Sequence, residues 1–408
     1  MRVLIVAGNI SARMGGEAVI PLHYIRELTA LGCEVHALTH ARVRAEIQAH
    51  PMWRADRFHF IEDAAAEKAI YAAGKKAPGA LRETLFMSGV GLVTQRRLAG
   101  RARALAAAIG ADVIHQPTPV SPAFPSFLSD MPAPVVIGPM NGGMDYPPAF
   151  KADYSQGSQG VVAAARLFAG AGNALAPGKR QAAVLLVANA RTRDALPGGV
   201  DRSRVIEIVE NGVDMALWDR PPLPRPDSPE FVFVGRLVWW KAVDLLIEAI
   251  ALVPDARLRI IGDGPEREKL AAQAAAGSAG ARIRFDGFRP QAEIADALSS
   301  ATALVLPSMR ECGGAVILEA FACRTPAIAT AWGGPQDYVT PETGYLIAPS
   351  GRETFIEDFA SAMRALAADP VRASEMGAAG RSRVEANFTW PAKARRILTI
   401  YAKAAERR

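Results

Sequence analysis

Cysteine is scarce in this sequence. Cys33, Cys312 and Cys323 are too few and too scattered among 408 residues for a disulfide framework, and no C-x-x-C or C-x-x-H spacing offers zinc a ligand set. Histidine is absent after His115, since all six lie between residues 23 and 115, so a histidine acting in chemistry must come from the first half. There is no D-x-D pair of carboxylates, and hence no evident holder for a catalytic metal; none is expected. Residues 8–16, GNISARMGG, lack G-x-G-x-x-G spacing, and no acidic partner follows the second strand, which argues against a nicotinamide oxidoreductase. The opening MRVLIVAGNI is too short, and followed too soon by charge, for a signal peptide or membrane span, so a cytoplasmic protein is expected. The charge is only modestly one-sided, at +6 with a pI near 9.3. That balance admits nucleotides, phosphates or an acidic bilayer as partners and does not select nucleic acid.

What is present is α/β in character. Half the residues are hydrophobic, with 35 glycines and 29 prolines, and the length suits two domains. The stretch Pro307–Pro326, PSMRECGGAVILEAFACRTP, carries the densest chemistry. The apolar run 303–306 precedes it as a buried strand, Gly313-Gly314 form a turn, and residues from Ala315 recur at helical spacing. A helix start after glycines lets free backbone N–H groups approach an anion closely. Glu311 in the turn and Glu319 about two helical turns later can accept hydrogen bonds from hydroxyls. Together they suit a phosphorylated sugar.

The same strand–turn–helix pattern recurs along the chain. Residues 3–7 read as a strand, 18–31 as a helix and 34–39 as the second strand; further strands are expected at 135–137, 184–187, 231–234, 258–261, 283–285 and 327–329. His115 ends a short strand beginning at Val113, and ligands of open α/β sheets bind at such ends. Asn141, Gly142 and Gly143 form a polar turn after another strand. Residues 64–110 read as helical, and their basic residues, among them Lys75, Lys76, Arg82, Arg96, Arg97, Arg101 and Arg103, mix with apolar ones as at a bilayer surface. Residues 151–180 look irregular. The Pro-rich PPLPRPDSP, 221–229, marks the domain boundary, after which Arg236 and Lys241 flank a strand-to-helix turn able to hold a diphosphate.

The ordered series NGVD (211–214), GRLVWWK (235–241), IGDGPE (261–266), GF (287–288), PSMRECGGAVILEA (307–320), WGGPQDYV (332–339) and TGYLI (343–347) resembles the family 4 glycosyltransferases. Gly15-Gly16, DVIH (112–115) and FTW (388–390) extend the resemblance over nearly the whole chain. It implies the GT-B architecture: two Rossmann-like domains whose parallel sheets face each other across a deep cleft. Residues 1–220 would form the acceptor domain, with a terminal helix from about 389 to 408 packing back on it, and 221–388 the nucleotide-sugar domain.

The implied activity is retaining, metal-independent transfer of a sugar from a nucleotide-diphosphate sugar to a hydroxyl. UDP is favoured over GDP, and no cofactor beyond that co-substrate is implied. Attack comes from the front face, with a leaving phosphate oxygen taking the acceptor's proton. By the resemblance Arg236 and Lys241 bind the diphosphate, helped by Gly15, Gly16, Gly313, Gly314 and Ala315. Glu319 holds the ribose, Glu311 the sugar's hydroxyls, and Gly264 and Phe288 border the nucleotide. Cys312 lies beside the sugar, and His115, Glu311, Arg236 and Lys241 form the reacting centre. Asn141, Gly142 and Gly143 are the expected acceptor region. A lipid-linked glycan, glycolipid or polysaccharide precursor is the expected acceptor, with peripheral contact to the cytoplasmic face of an anionic inner membrane. A sugar-nucleotide epimerase, a phosphorylase on the same frame, or a non-catalytic sensor are the competing readings.

Overall fold

The computed structural model describes residues 1–14, 16–75, 77, 82, 86–154, 172–221, 223–224 and 226–406. Gly15 and Lys76 therefore lie outside the described residues. The chain divides into two compact units: Met1–Gly143 with Gly157–Glu210 and Trp390–Arg408, and Met144–Gln156 with Asn211–Thr389.

The first unit is built on a parallel sheet of seven strands in the order β3-β2-β1-β4-β5-β6-β7. These are β1 Arg2–Val6, β2 Glu34–His40, β3 Phe58–Ile61, β4 Val113–Gln116, β5 Val135–Met140, β6 Val184–Val187 and β7 Val205–Glu207. The central strand β1, RVLIV, is apolar at successive positions because both its faces are covered, as a parallel sheet demands. Side chains alternate across the sheet: Val3 and Ile5 join a core with Tyr24, Ile397 and Tyr401, whereas Leu4 and Val6 join one with Leu98, Ala102 and Leu105. The helices Ile20–Ala30 and Trp390–Glu406 thus cover one face, and Met87–Ile109 the other.

The second unit repeats the plan with six parallel strands in the order β10-β9-β8-β11-β12-β13. They are β8 Glu230–Val234, β9 Arg257–Ile261, β10 Ile283–Gly287, β11 Ala303–Leu306, β12 Ala327–Thr330 and β13 Gly344–Ile347. Both units are Rossmann-like, and most expected strands lie within a residue or two of their observed positions. The β3 strand was not anticipated; FHFI is short and neither cleanly alternating nor wholly apolar. The stretch 151–180 is less irregular than it reads, with helical turns at Lys151–Tyr154 and Gly178–Gln181; 155–171 lie outside the described residues.

The units do not part at the Pro-rich stretch 221–229, which lies inside the second. Residues 211–220 already belong there: Asn211 Nδ2 donates to Tyr338 Oη at 3.2 Å, Val213 N to Phe388 O at 2.7 Å, and Cys323 Sγ to Trp218 O at 3.4 Å. The segment Met144–Gln156 also belongs to the second unit, because Trp332 Nε1 donates to Asp145 O at 2.8 Å and Phe150 meets Phe355 edge-on at 5.6 Å. At the other end, Trp390–Glu406 returns to the first unit and buries Ile397, Ile400 and Tyr401 in its core.

Candidate functional site

Strand order reverses between β8 and β11, and the loops leaving their carboxyl ends carry most of the singled-out residues. After β8 the chain turns at Gly235 and runs through a short 3₁₀ turn, Trp239–Lys241, into the helix Val243–Ala251. Leu237 N donates to Asp263 O at 2.9 Å, which docks this turn onto the loop after β9. That docking explains the glycines there. A Cβ on Gly262 would stand 1.9 Å from Gly235 O, and one on Gly264 2.2 Å from Leu237 O. Ala242 adopts left-handed φ 51°, ψ 37°, a conformation costing a non-glycine residue roughly 1 kcal/mol. The turn therefore accepts strain to aim Lys241.

After β11 the turn 307–314 leads into the helix Ala315–Ala322, with Gly314 at φ 68° as its left-handed cap. Met309 N donates to Trp240 O at 2.9 Å, fastening this turn to the one after β8. Glu311 is held on several sides. Its carboxylate pairs with Lys241 Nζ, Gly314 N donates to Oε1 at 3.2 Å, and Gly334 N donates to its carbonyl at 2.7 Å. Gly334 must be glycine, since a Cβ would lie 2.3 Å from Cys312 O and 2.6 Å from Gly313 O. The Lys241 and Glu311 side chains keep 17% and 14% of their surface open. Beside them, the first backbone N–H groups of the helix, at Ala315 and Val316, have no intrahelical acceptor.

Glu319 sits on the same helix, half-buried, with no ion pair or hydrogen bond to its carboxylate among the described residues. Burial pushes its carboxyl up to about 7. Arg236 is exposed, and its guanidinium has no partner among the described residues. Phe288, 81% exposed, follows β10 at the same end of the sheet, after Gly287 at φ 71°. The site thus gathers an open cation, an ion pair, free N–H donors, an unpaired carboxyl and an aromatic face. One group escaped sequence reasoning. Tyr146 stacks on Trp239 at 5.5 Å and lies under Arg310 at 5.8 Å. The Trp-Trp pair in GRLVWWK was a visible signal, but nothing assigned residue 146 to the second unit.

The first unit departs from expectation. His115 is fully buried, in register with Ile5 and Val136, as the penultimate residue of its strand. Its Nε2 donates to Gly138 O at 2.6 Å and its Nδ1 accepts from Tyr401 Oη at 2.5 Å, so both nitrogens are occupied. Burial lowers it to about 4, and it stays neutral. The strand runs one residue past it, to Gln116. In the turn Asn141–Gly143 only Asn141 is buried, while Gly143 is exposed. Asn141 is buried and donates to Glu210 Oε1 at 2.8 Å; Gly142 N donates to Thr192 Oγ1 at 3.1 Å; a Cβ on Gly143 would meet Ala195 Cβ at 2.5 Å. Gly16 adopts left-handed φ 52°, with nothing within 4 Å of where a Cβ would stand.

One histidine–carboxylate group, His40, Asp63 and Glu67, has the spacing of a metal site. Its hydrogen bonds argue otherwise. His40 Nδ1 accepts from Arg42 N at 3.1 Å, which leaves the ring proton on Nε2, facing Asp63. Both Glu67 oxygens are already engaged, by Thr94 Oγ1 on one side and by Arg97 and Ala64 N on the other. Glu67 is thus committed to its own hydrogen bonds, and the buried His40 Nε2 lies 3.4 Å from the exposed Asp63 without a hydrogen-bond partner.

Of the apolar residues expected on the basic face, Val90 is buried and Phe86, Met87 and Leu92 are half-buried, while Leu85 lies outside the described residues. On the helix Met87–Ile109, Val90, Leu98, Ala99, Ala102 and Leu105 are buried. Arg97 pairs with Glu67, and Arg103 donates to Ser129 O at 2.7 Å. No helix among the described residues is long and apolar enough to cross a membrane.

Residues 214–383 match the family model described as glycosyl transferases group 1. Alpha-maltose-1-phosphate synthase of Mycolicibacterium smegmatis is 33% identical over 247 residues, 55% of this chain and 63% of its own length. D-inositol 3-phosphate glycosyltransferase of Kribbella flavida is 33% identical over 223 residues, 49% of this chain and 51% of its own. The chain thus spans about half to three-fifths of the curated relatives it matches. Among solved structures, a sucrose-phosphate synthase from Thermosynechococcus elongatus superposes over 99% of both chains with a TM-score of 0.69 at 22% identity, which shares the fold.

Proposed function

We propose that this chain, whose residues 214–383 match the glycosyl transferases group 1 model, moves a sugar from a nucleotide-diphosphate sugar to a hydroxyl acceptor with retention at the anomeric carbon. The observation that carries this reading is the β8/β11 switch point, where Arg236, the Lys241–Glu311 pair, Gly313-Gly314 and Glu319 converge. Arg236 and Lys241 stabilise the charge that develops on the leaving diphosphate, together with the N–H groups of the helix start. The Lys241–Glu311 contact sets two groups with different tasks side by side: the ammonium turns to phosphate and the carboxylate to sugar hydroxyls. Glu319 accepts from the ribose diol, and Phe288 offers a face to the base. Attack comes from the side the leaving group departs, and a phosphate oxygen takes the acceptor's proton. His115, buried with both ring nitrogens hydrogen-bonded, takes no part in this reading.

UDP is the first choice of nucleotide and GDP the second, and no metal is required. The acceptor is a lipid-linked glycan, glycolipid or polysaccharide precursor, reached from the cytoplasm, where exposed Arg96 and Arg101 can touch an anionic membrane without inserting. The test is a thermal-shift screen of UDP-, GDP- and ADP-sugars, followed by product analysis with and without EDTA. A new glycosidic bond, formed with EDTA present, supports the reading. An isomerised donor, or a sugar phosphate formed from a glycan, points to an epimerase or a phosphorylase instead. Loss of all turnover in EDTA overturns the metal-free mechanism.

A further inference from the structure

The first unit has its own switch point, between β1 and β4, and a cavity of about 290 Å³ opens there that the chemistry above does not use. Gly8 and Asn9 come from the end of β1, Arg42 from the end of β2, Thr118 from the end of β4, and Gln95 from the helix Met87–Ile109.

Its polar groups are oriented from behind. Ser126 Oγ donates to Gln116 Oε1 at 2.6 Å, and Gln116 Nε2 donates to Gln95 Oε1 at 2.8 Å, both in the buried interior. Because Gln95 Oε1 is an acceptor there, its amide NH₂ is turned toward Gly8, 3.4 Å from where a Cβ on that glycine would stand. A buried relay of three side chains thus presents N–H donors to the cavity. Two acceptors face them. Glu17 lines the cavity, with Oε2 fixed by Val120 N at 2.7 Å, and the buried Asn9 Oδ1 has no hydrogen-bond partner among the described residues.

Arg42 supplies the charge. One of its guanidinium nitrogens donates to Thr94 Oγ1 at 3.3 Å, while the Thr94 hydroxyl donates onward to Glu67. Glu67 is already neutralised by Arg97 at 2.8 Å. Arg42 is therefore steered without being paired: no carboxylate lies within 4 Å of it among the described residues, and it is exposed. An unpaired fork at the rim of a cavity suits a carboxylate or phosphate. Mixed donors and acceptors within suit hydroxyls, and the volume admits about one ring.

We propose that this cavity binds the acceptor, and that the acceptor presents a sugar or polyol ring carrying an acid group, the acid on Arg42 and the hydroxyls on Glu17, Asn9 and the Gln95 amide. The proposal rests on the glycosyltransferase reading and adds the chemical class of the acceptor. Gln116 is a positioning residue, acting only through Gln95.

The test uses the full chain and three probes, glucose 6-phosphate, glucuronate and glucose, titrated by ligand-observed NMR. The acid sugars are expected to bind more tightly than glucose. Arg42→Gln is expected to weaken them about tenfold, to the level of glucose, and Arg42→Lys to fall between. Gln116→Leu should weaken all three probes, and a melting curve for each variant shows that it is folded. Glucose 6-phosphate ahead of glucuronate identifies the acid as phosphate, and the reverse identifies it as carboxylate. If acid sugars bind no tighter than glucose, or if Arg42→Gln leaves their affinity unchanged, the proposal falls. The donor is titrated separately on the same samples. Its failure to bind counts against the donor site, while the Arg42 comparison still decides this one.

Discussion

Glu319 offers a prediction in which function and stability pull in opposite directions. Its carboxyl is half-buried, has no partner among the described residues and is raised by burial to about 7 from the usual 4.5. A raised carboxyl means that the folded unit resists ionising it. The stabilisation of the protonated form is complete below about pH 4.5 and is lost as pH rises through 7. At 1.36 kcal/mol per pKa unit, the full shift corresponds to about 3 kcal/mol at pH 8, and partial contact with solvent reduces this to roughly 1–3 kcal/mol. Glu319→Gln has the shape of the protonated acid and never ionises. It should therefore match the wild type near pH 4.5 and melt higher at pH 8. At about 2–4 °C per kcal/mol for domains of this size, the gain is several degrees. The same substitution removes the anionic acceptor offered to a ribose diol, so donor affinity should fall at pH 8 while stability rises. The assay is a set of melting curves from pH 4.5 to 8.5 for both proteins, with and without the donor identified by screening. A melting difference that stays constant with pH would refute the burial argument. Unchanged donor affinity would remove Glu319 from the ribose.

Three further outcomes follow from other parts of the structure. Arg236→Ala and Lys241→Ala should each lower kcat/KM for the donor by about 10²–10³-fold, and initial rates that match the wild type would remove the diphosphate from that turn. Gly334→Ala places a methyl 2.3 Å from Cys312 O and must displace the turn that carries Glu311; donor binding should be lost although the protein folds, as circular dichroism and the thermal-shift response can show. Tyr401→Phe leaves the buried His115 Nδ1 without its donor, which should destabilise the first unit by about 1–3 kcal/mol. Turnover per folded molecule should persist, and a collapse of kcat at unchanged stability would return His115 to the chemistry.

The strands and the second-unit site were legible in the sequence because their signals are local. Continuous apolar runs such as Ala303–Leu306 can be satisfied only as buried parallel strands. Glycines at 314, 333 and 334 are required by φ or by close contacts with the turn 311–313. Lys241 and Glu311 therefore meet as an ion pair, with Arg236 on the same turn as Lys241 and Glu319 on the helix that follows Glu311. What the sequence alone could not decide was the direction a side chain faces once strands are paired. DVIH reads as a strand end, yet pairing with β1 and β5 carries β4 one residue further, and a tyrosine 286 positions away seals the histidine. Asn141 looked available until Glu210, 69 residues on, claimed its amide. The unit boundary was misplaced for the same reason: proline marks stiffness in the chain, whereas Asn211, Trp218 and Asp145 are assigned to a unit by partners that only folding supplies. Local propensity and close packing between adjacent turns are written in consecutive residues. Burial of a polar group, and so its availability for chemistry, depends on what arrives from far along the chain.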